Sequence, residues 1–168
     1  YIKKVLGPFS MDELCSNVAF GTRANKGVPY SQSYIENKMY RLSGSPDHAK
    51  WFEKTYLPTD DLLRQNLSSR KIPLSIGLVD TLELVCVPKK HNSSRTIMPN
   101  SVLGTFYTNG LMCMIARRLA ENGYNINYLQ KKHGVYAQYG SRTGKLSTGD
   151  LSSASDLPGF ALMCRLLP

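Results

Sequence analysis

The chain has 168 residues, with 21 Lys+Arg against 12 Asp+Glu and a formal net charge of +9. That length suits one domain, or one and a half, with enough chain to bury a core. Apolar residues at 42% and charged residues at 20% exclude a disordered or collagen-like chain. No apolar run in the sequence approaches the roughly 18–20 residues of a membrane span. The start, Tyr1-Ile2-Lys3-Lys4, carries no signal-peptide pattern and no Met, so the expectation is a piece of something longer.

Ser10-Met11-Asp12-Glu13 has the form of a capping box and predicts a helix over about residues 11–19. Phe20 to Gly27 then reads as a glycine-bounded loop. Ser33-Tyr34-Ile35-Glu36 repeats the capping-box pattern and predicts a second helix stopping near Gly44. Ser45-Pro46 opens a third, with Pro46 at the first helical position and Trp51, Phe52 and Tyr56 along it. Thr59-Asp60-Asp61 opens a short fourth helix, its acids favourable at the positive end of the helix dipole.

The middle of the chain changes character. Leu82 to Val87 is a β-rich run ending at Pro88, Lys89 to Ser94 reads as a basic turn, and Arg95 to Met98 as the returning strand of a hairpin. Asn100 or Ser101 caps a long helix reaching about residue 121, with Leu103, Phe106, Leu111, Met114 and Leu119 at helical spacing. Asn122-Gly123 ends it. Leu146 to Gly149 reads as a short strand and Pro158 to Leu167 as a final helix. Cys15, Cys86, Cys113 and Cys164 form no CxxC pair and have no ligand spacing with His48, His91 or His133. That argues against structural zinc and for reduced, buried thiols.

The charge is unevenly placed. Residues 1–83 carry 11 basic and 9 acidic side chains, whereas residues 84–149 carry 9 basic ones against the single acid Glu121. A polyanionic partner follows from that stretch. Immediately after it stand Asp150 and Asp156, in Asp150-Leu151-Ser152-Ser153-Ala154-Ser155-Asp156. An Asp at the end of a strand, followed by a small-residue turn, offers a carboxylate and neighbouring carbonyls to a hard cation such as Mg²⁺. Taken alone, the segment fits a turn Asp and a helix-capping Asp better. The upstream cations change the balance, because a carboxylate-bound Mg²⁺ facing a basic groove is what phosphoryl transfer on a nucleotide requires. Lys89, Lys90 and Arg95 then read as nucleotide contacts, and Arg117-Arg118 as a solvated helix end. The rival readings are a non-catalytic basic RNA-binding domain and a nuclease-like phosphotransferase, the latter short of the His and clustered acids it needs.

Val87-Pro88-Lys89-Lys90 with Arg95, the long helix, Leu129-Gln130-Lys131-Lys132-His133, and Thr148-Gly149-Asp150 through Asp156 occur in an order that resembles the replicase subunit of positive-strand RNA bacteriophages, the leviviruses. The resemblance covers about residues 82–168. It implies an RNA-directed RNA polymerase of α+β class with a right-hand fold. Residues 1–135 would form mostly helical fingers with the basic β-hairpin, and 136–168 the first strand and helix of the palm. It implies that Asp150 binds the catalytic metal, with the Leu151 backbone carbonyl as a further ligand, and that Asp156 helps recognise the ribose 2′-OH. Lys89, Lys90 and Arg95 would contact the triphosphate and template, and Gln130, Lys131 and Lys132 would lie near the template and nucleotide channel. Gly149 departs from the family pattern, as do Leu157-Pro158-Gly159. The implied cofactor is Mg²⁺ at a two-metal site. The implied partners are an RNA template, nucleoside triphosphates and host translation elongation factors Tu and Ts, in the cytoplasm of a bacterial host. A Gly-Asp-Asp hairpin, which the family carries downstream, is absent from these residues, so the expectation is a piece inactive in isolation. Asp60-Asp61, upstream of the basic stretch, reads as a helix start and not as that pair.

Overall fold

A computed structural model describes residues 1–71, 74–81, 83–147, 149 and 159–167. Along these the elements are α1 (Ile2–Leu6), α2 (Met11–Asn17), α3 (Ile35–Tyr40), β1 (Ser43–Gly44), α4 (Pro46–Trp51), α5 (Asp61–Ser69), β2 (Gly77–Leu78), β3 (Val85–Lys90), β4 (Ser93–Ile97), α6 (Val102–Glu121), α7 (Ile126–Thr143) and α8 (Phe160–Leu166). A π-helical turn, Phe52–Tyr56, and a 3₁₀ turn, Leu57–Thr59, join α4 to α5. The chain divides into two compact units, Asp12–Met112 and Tyr1–Met11 with Cys113–Pro168, and α6 contributes to both.

The larger unit is built around the first half of α6. Val102, Leu103 and Phe106 are buried with Val28, Leu42, Phe52 and Tyr56, and Cys15, Val18, Phe20, Trp51, Leu63 and Ile76 pack against them. Phe106 is the hub of the aromatic rings. Its centroid lies 4.4 Å from Phe20, 5.0 Å from Tyr56, 5.9 Å from Phe52 and 6.2 Å from Trp51. The Tyr56 and Phe52 contacts are edge-to-face, at 75° and 74°, the arrangement that ring quadrupoles favour. The start of α6 is capped by Ser101, whose Oγ accepts from the Gly104 amide at 3.2 Å.

The loop before α3 is fastened from two sides. Lys38 is 1% exposed, and its Nζ donates to the carbonyl oxygens of Gly21 and, at 2.5 Å, Arg23. Asn25 Nδ2 donates to Thr105 Oγ1 at 2.6 Å, and the Lys26 amide to the Asn100 carbonyl at 3.0 Å. β1 and β2 form a two-stranded parallel pair, Ser43 opposite Gly77 and Gly44 opposite Leu78.

Several expected boundaries move. The first predicted helix ends at Asn17 and not 19. The second begins at Ile35 without a capping box: Ser33 Oγ donates back to the Tyr30 carbonyl at 2.7 Å, and Tyr34 occupies the cap position with no side-chain bond. It stops at Tyr40, short of Gly44, because Leu42 to Gly44 turn their backbone toward residues 77–79, with Gly77 N donating to Leu42 O at 2.8 Å. The third and fourth helices start as expected, with Ser45 accepting from His48 N and Asp60 from Leu63 N.

In the smaller unit, α1 is tied down by Arg118. Its guanidinium is half-buried and donates to the carbonyls of Leu6 and, at 2.7 Å, Pro8. It is thus a structural clamp, not the solvated helix end expected from its position. Arg117 keeps that exposed role, 3.9 Å from Glu121. α7 was missed in the sequence. Asn125 caps it by accepting from Tyr128 N at 3.0 Å, and Gly144, at φ 66°, closes it in the left-handed conformation that favours glycine. Leu146, Ser147 and Gly149 lie in no regular element, so the described part of the expected strand is not one. α8 matches the expected last helix over Phe160–Leu166. Cys15 is half-buried, but Cys86, Cys113 and Cys164 are free and exposed, contrary to the buried thiols expected. Cys86 is exposed on its hairpin, and among the described residues no second layer covers it.

Two substitutions test this packing. A Cβ at Gly110 would stand 2.5 Å from Val18 Cγ1 and 3.2 Å from the Leu14 carbonyl oxygen. Gly110→Ala should therefore cost about 1–3 kcal/mol by overpacking, despite alanine's better helix propensity, read as a lower urea midpoint at unchanged m-value. Burial lowers the Lys38 pKa from its ordinary 10.5. The unfolded chain then holds that proton more tightly, so the penalty of burying the ammonium is relieved as pH rises toward 10.5. Lys38→Met should lose about 1–2 kcal/mol near neutrality as two carbonyls lose their donor. Its deficit against wild type should widen as pH rises toward 10.5, measured by denaturant titration at each pH.

Candidate nucleic-acid interface

The hairpin is in register from its base to Pro88, with Val85 opposite Ile97, Cys86 opposite Thr96, Val87 opposite Arg95 and Pro88 opposite Ser94. Then the ladder slips by one: Lys90, not Lys89, faces Ser93. Lys89 is the extra residue of a β-bulge, and the turn shrinks to His91-Asn92, with His91 Nδ1 2.8 Å from Asn92 Oδ1. The expected six-residue basic turn is thus mostly strand. Pairing that starts at Val85 and Ile97 carries the ladder through residues of poor strand propensity, and Pro88 is tolerated because a two-stranded ribbon has only edges.

The bulge has an electrostatic consequence. Strand side chains alternate with period two, so in an unbroken strand Lys90 would share the face of Cys86 and Pro88. Opposite Ser93, two residues from Arg95, it instead joins the face that carries Val87 and Arg95. The bulge thereby gathers Lys90 and Arg95 on one side of the ribbon, with Lys89 at the kink between them. All three are exposed, as is every residue of β4. Among the described residues none of the three has an acidic partner within ion-pair distance, so each keeps its full charge for a ligand.

Gln130, Lys131 and Lys132 fall in the second turn of α7, all exposed. Lys132 Nζ lies 5.4 Å from the ring centroid of Tyr136, one helical turn on. The helix is followed by a tight return: the Gly144 amide donates to Gly140 O at 2.8 Å, and Leu146 folds back onto Gly140. A Cβ at Gly140 would stand 2.5 Å from the Leu146 carbonyl oxygen, so only glycine admits this approach. His133, Tyr136, Ala137, Leu146, Ser147 and Gly149 line a cavity of about 350 Å³ there.

Asp150, Leu151 and Asp156, expected as the metal and ribose residues, lie outside the described residues. Among the described ones, no group of three or more His, Cys, Asp or Glu could hold a metal ion. Asp60-Asp61 is the helix start it was read to be. Asp60 accepts from Leu63 N at 2.9 Å and from the Tyr56 hydroxyl at 2.6 Å, and Asp61 pairs with Arg64. Burial, reinforced by that bond to Asp60, pushes the Tyr56 hydroxyl far above its ordinary pKa, which keeps it a neutral donor. No described helix is long and apolar enough to cross a membrane.

The family model described as RNA replicase, beta-chain, matches residues 25–168. No curated protein gives a match to the chain. The matched span takes in the hairpin, α6, α7 and the segment containing Asp150 and Asp156, nearly the whole of the chain, which therefore belongs to the RNA replicase beta-chain family.

Proposed function

We propose that the chain is part of an RNA-directed RNA polymerase that copies RNA by metal-dependent nucleotidyl transfer. The observation that carries this reading is the bulged hairpin, which collects Lys89, Lys90 and Arg95 as exposed cations without acidic partners, within a chain of the replicase family. On this reading residues 1–135 are fingers and 136–168 begin the palm of a right-hand fold. The reaction joins a primer 3′-oxygen to the α-phosphorus of a nucleoside triphosphate, breaks the α–β phosphoanhydride and releases pyrophosphate.

Each residue has a part in that reaction. Lys90 and Arg95, on one face of a narrow ribbon, offset the negative charge of the triphosphate, and Lys89 at the bulge extends the same field toward the template. Gln130, Lys131 and Lys132 line the path of template or nucleotide from α7. Asp156 accepts from the ribose 2′-OH of the incoming nucleotide, which distinguishes RNA from DNA precursors. The donors that would hold Mg²⁺, the Asp150 carboxylate and the Leu151 carbonyl, are hard oxygen ligands of the kind that ion takes. When bound, Mg²⁺ lowers the pKa of the attacking oxygen and neutralises charge on the phosphates. The family's host partners would be translation elongation factors Tu and Ts, in the bacterial cytoplasm.

Asp150→Asn, in a replicase containing this chain, should cut nucleotide incorporation roughly a thousandfold or more, since several kcal/mol of charge stabilisation is lost. Binding of template RNA, followed by fluorescence anisotropy, should stay near wild type. Wild-type incorporation in that variant would overturn the assignment and leave a basic RNA-binding domain. For the hairpin, Lys89→Gln, Lys90→Gln and Arg95→Gln together should reduce the salt dependence of RNA binding by about two in slope, at roughly 0.7 per phosphate contact. Deleting Lys89 should weaken binding about as much as Lys89→Gln does, because Lys90 then follows Pro88 in an unbroken ladder, still opposite Ser93 and on the face of Arg95.

A further inference from the structure

Helix α7 has a face of which the polymerase reading uses only Lys131 and Lys132, leaving its tyrosines and Arg142 without a role. At 3.6 residues per turn, Tyr128, Lys131, Lys132, Val135, Tyr139 and Arg142 fall within a stripe about 100° wide. Every one is exposed, Tyr128 at 61% and Tyr139 at 48%. The more buried side of the helix is elsewhere, at half-buried Leu129 and Ala137 and buried Gly140. From Ile126 to Thr143 there is no Asp or Glu, and among the described residues Lys131, Lys132 and Arg142 have no ion-pair partner.

Two physical features stand together in this stripe. Adjacent Lys131 and Lys132, with Arg142 nearly three turns on, place positive potential along the stripe, and the tyrosines interleaved with them hold flat aromatic surface in water. A polyanion without accessible bases, such as a duplex, would use the cations and leave the rings idle. A single strand uses both, because every base has a π-face and every nucleotide a phosphate. Tyr136, to one side of the stripe, receives the Lys132 ammonium at 5.4 Å and steadies it at the stripe's edge. Tyr128 and Tyr139 stand about 16 Å apart along the axis at 1.5 Å per residue, room for roughly five nucleotides at about 3.4 Å each.

We propose that this face of α7 is a stacking platform for single-stranded RNA, with Tyr128 and Tyr139 receiving bases and Lys131, Lys132 and Arg142 receiving phosphates. The identity of the ligand rests on the polymerase reading; the geometry of the platform does not.

The test is binding of a fluorescein-labelled 12-nucleotide oligoadenylate to the 168-residue chain by anisotropy, over a range of salt. Tyr128→Ala with Tyr139→Ala should weaken binding at least tenfold, the scale of a base–aromatic stack, with the salt slope unchanged. Tyr128→Phe with Tyr139→Phe should bind within about twofold of wild type, since stacking needs the ring and not the hydroxyl. Lys131→Gln with Lys132→Gln should do the reverse of the alanine pair, lowering the salt slope by about 1.4. A double-stranded RNA of equal length should respond to the lysine changes and ignore the tyrosine ones. In the unsubstituted chain, a 5-iodouridine-labelled strand should photocross-link at Tyr128 or Tyr139. An alanine pair that binds as wild type, or cross-links confined to other residues, would overturn the platform. Because none of these measurements involves catalysis, a polymerising Asp150→Asn replicase would refute the polymerase reading alone, and a failed tyrosine test would refute the platform alone.

Discussion

Phe106 is the contact on which the larger unit depends. Four aromatic side chains from two parts of the sequence, Phe20 on the one hand and Trp51, Phe52 and Tyr56 on the other, meet its ring. Removing such a ring from a packed core costs about 3–5 kcal/mol, a large share of a small domain's stability. The same turn of α6 is also where loop and strand are pinned, through Thr105 to Asn25 and through the Val102 amide to Ser43 Oγ at 3.3 Å. What lies on either side of that turn inherits its position.

The hairpin is the main beneficiary. A two-stranded ribbon is marginal in water by itself, and this one leaves nearly all its side chains exposed. It is held by its ends. Upstream, Gly77 and Val79 donate to Leu42 and Gly44, and Lys26 Nζ donates to the Thr81 carbonyl at 2.7 Å. Downstream, Ile97 is followed within six residues by Val102 and Leu103, both buried. Anchored ends allow the middle to carry charge in place of apolar side chains. The bulge then decides which way that charge faces.

Much of this was legible from sequence, and the losses have physical reasons. Asp60 as a cap, Pro46 at the first turn, the α6 stripe and the two hairpin strands all announce themselves through local chemistry. The bulge does not, because it is a property of pairing between strands and leaves no mark on either one. The failed cap at Ser33 shows a hydroxyl finding a nearer carbonyl, at Tyr30, than the amide it was expected to accept from. Lys38 and Arg118 look like surface charges until the fold puts backbone carbonyls around them. α7 escaped because its inward-facing residues are small or few, half-buried Leu129 and Ala137 and buried Gly140, so it lacks an apolar stripe to read. Its tyrosines and cations were visible, but without a helix they had no common face.

The cations therefore divide by what they bond to. Lys38 and Arg118 are each engaged by two backbone carbonyl oxygens, although each still contributes to the +9. Lys89, Lys90 and Arg95 on the ribbon, like Lys131, Lys132 and Arg142 on α7, stand on secondary structure that presents them without acids nearby. A cation already satisfied by the fold gains little from a phosphate, because it must first give up bonds of comparable strength. One left hydrated at a fixed position gains the release of counterions from the nucleic acid with little reorganisation of its own. The excess charge becomes a binding surface only where the backbone fixes it and leaves it unpaired, and among the described residues the bulged hairpin and α7 meet both conditions.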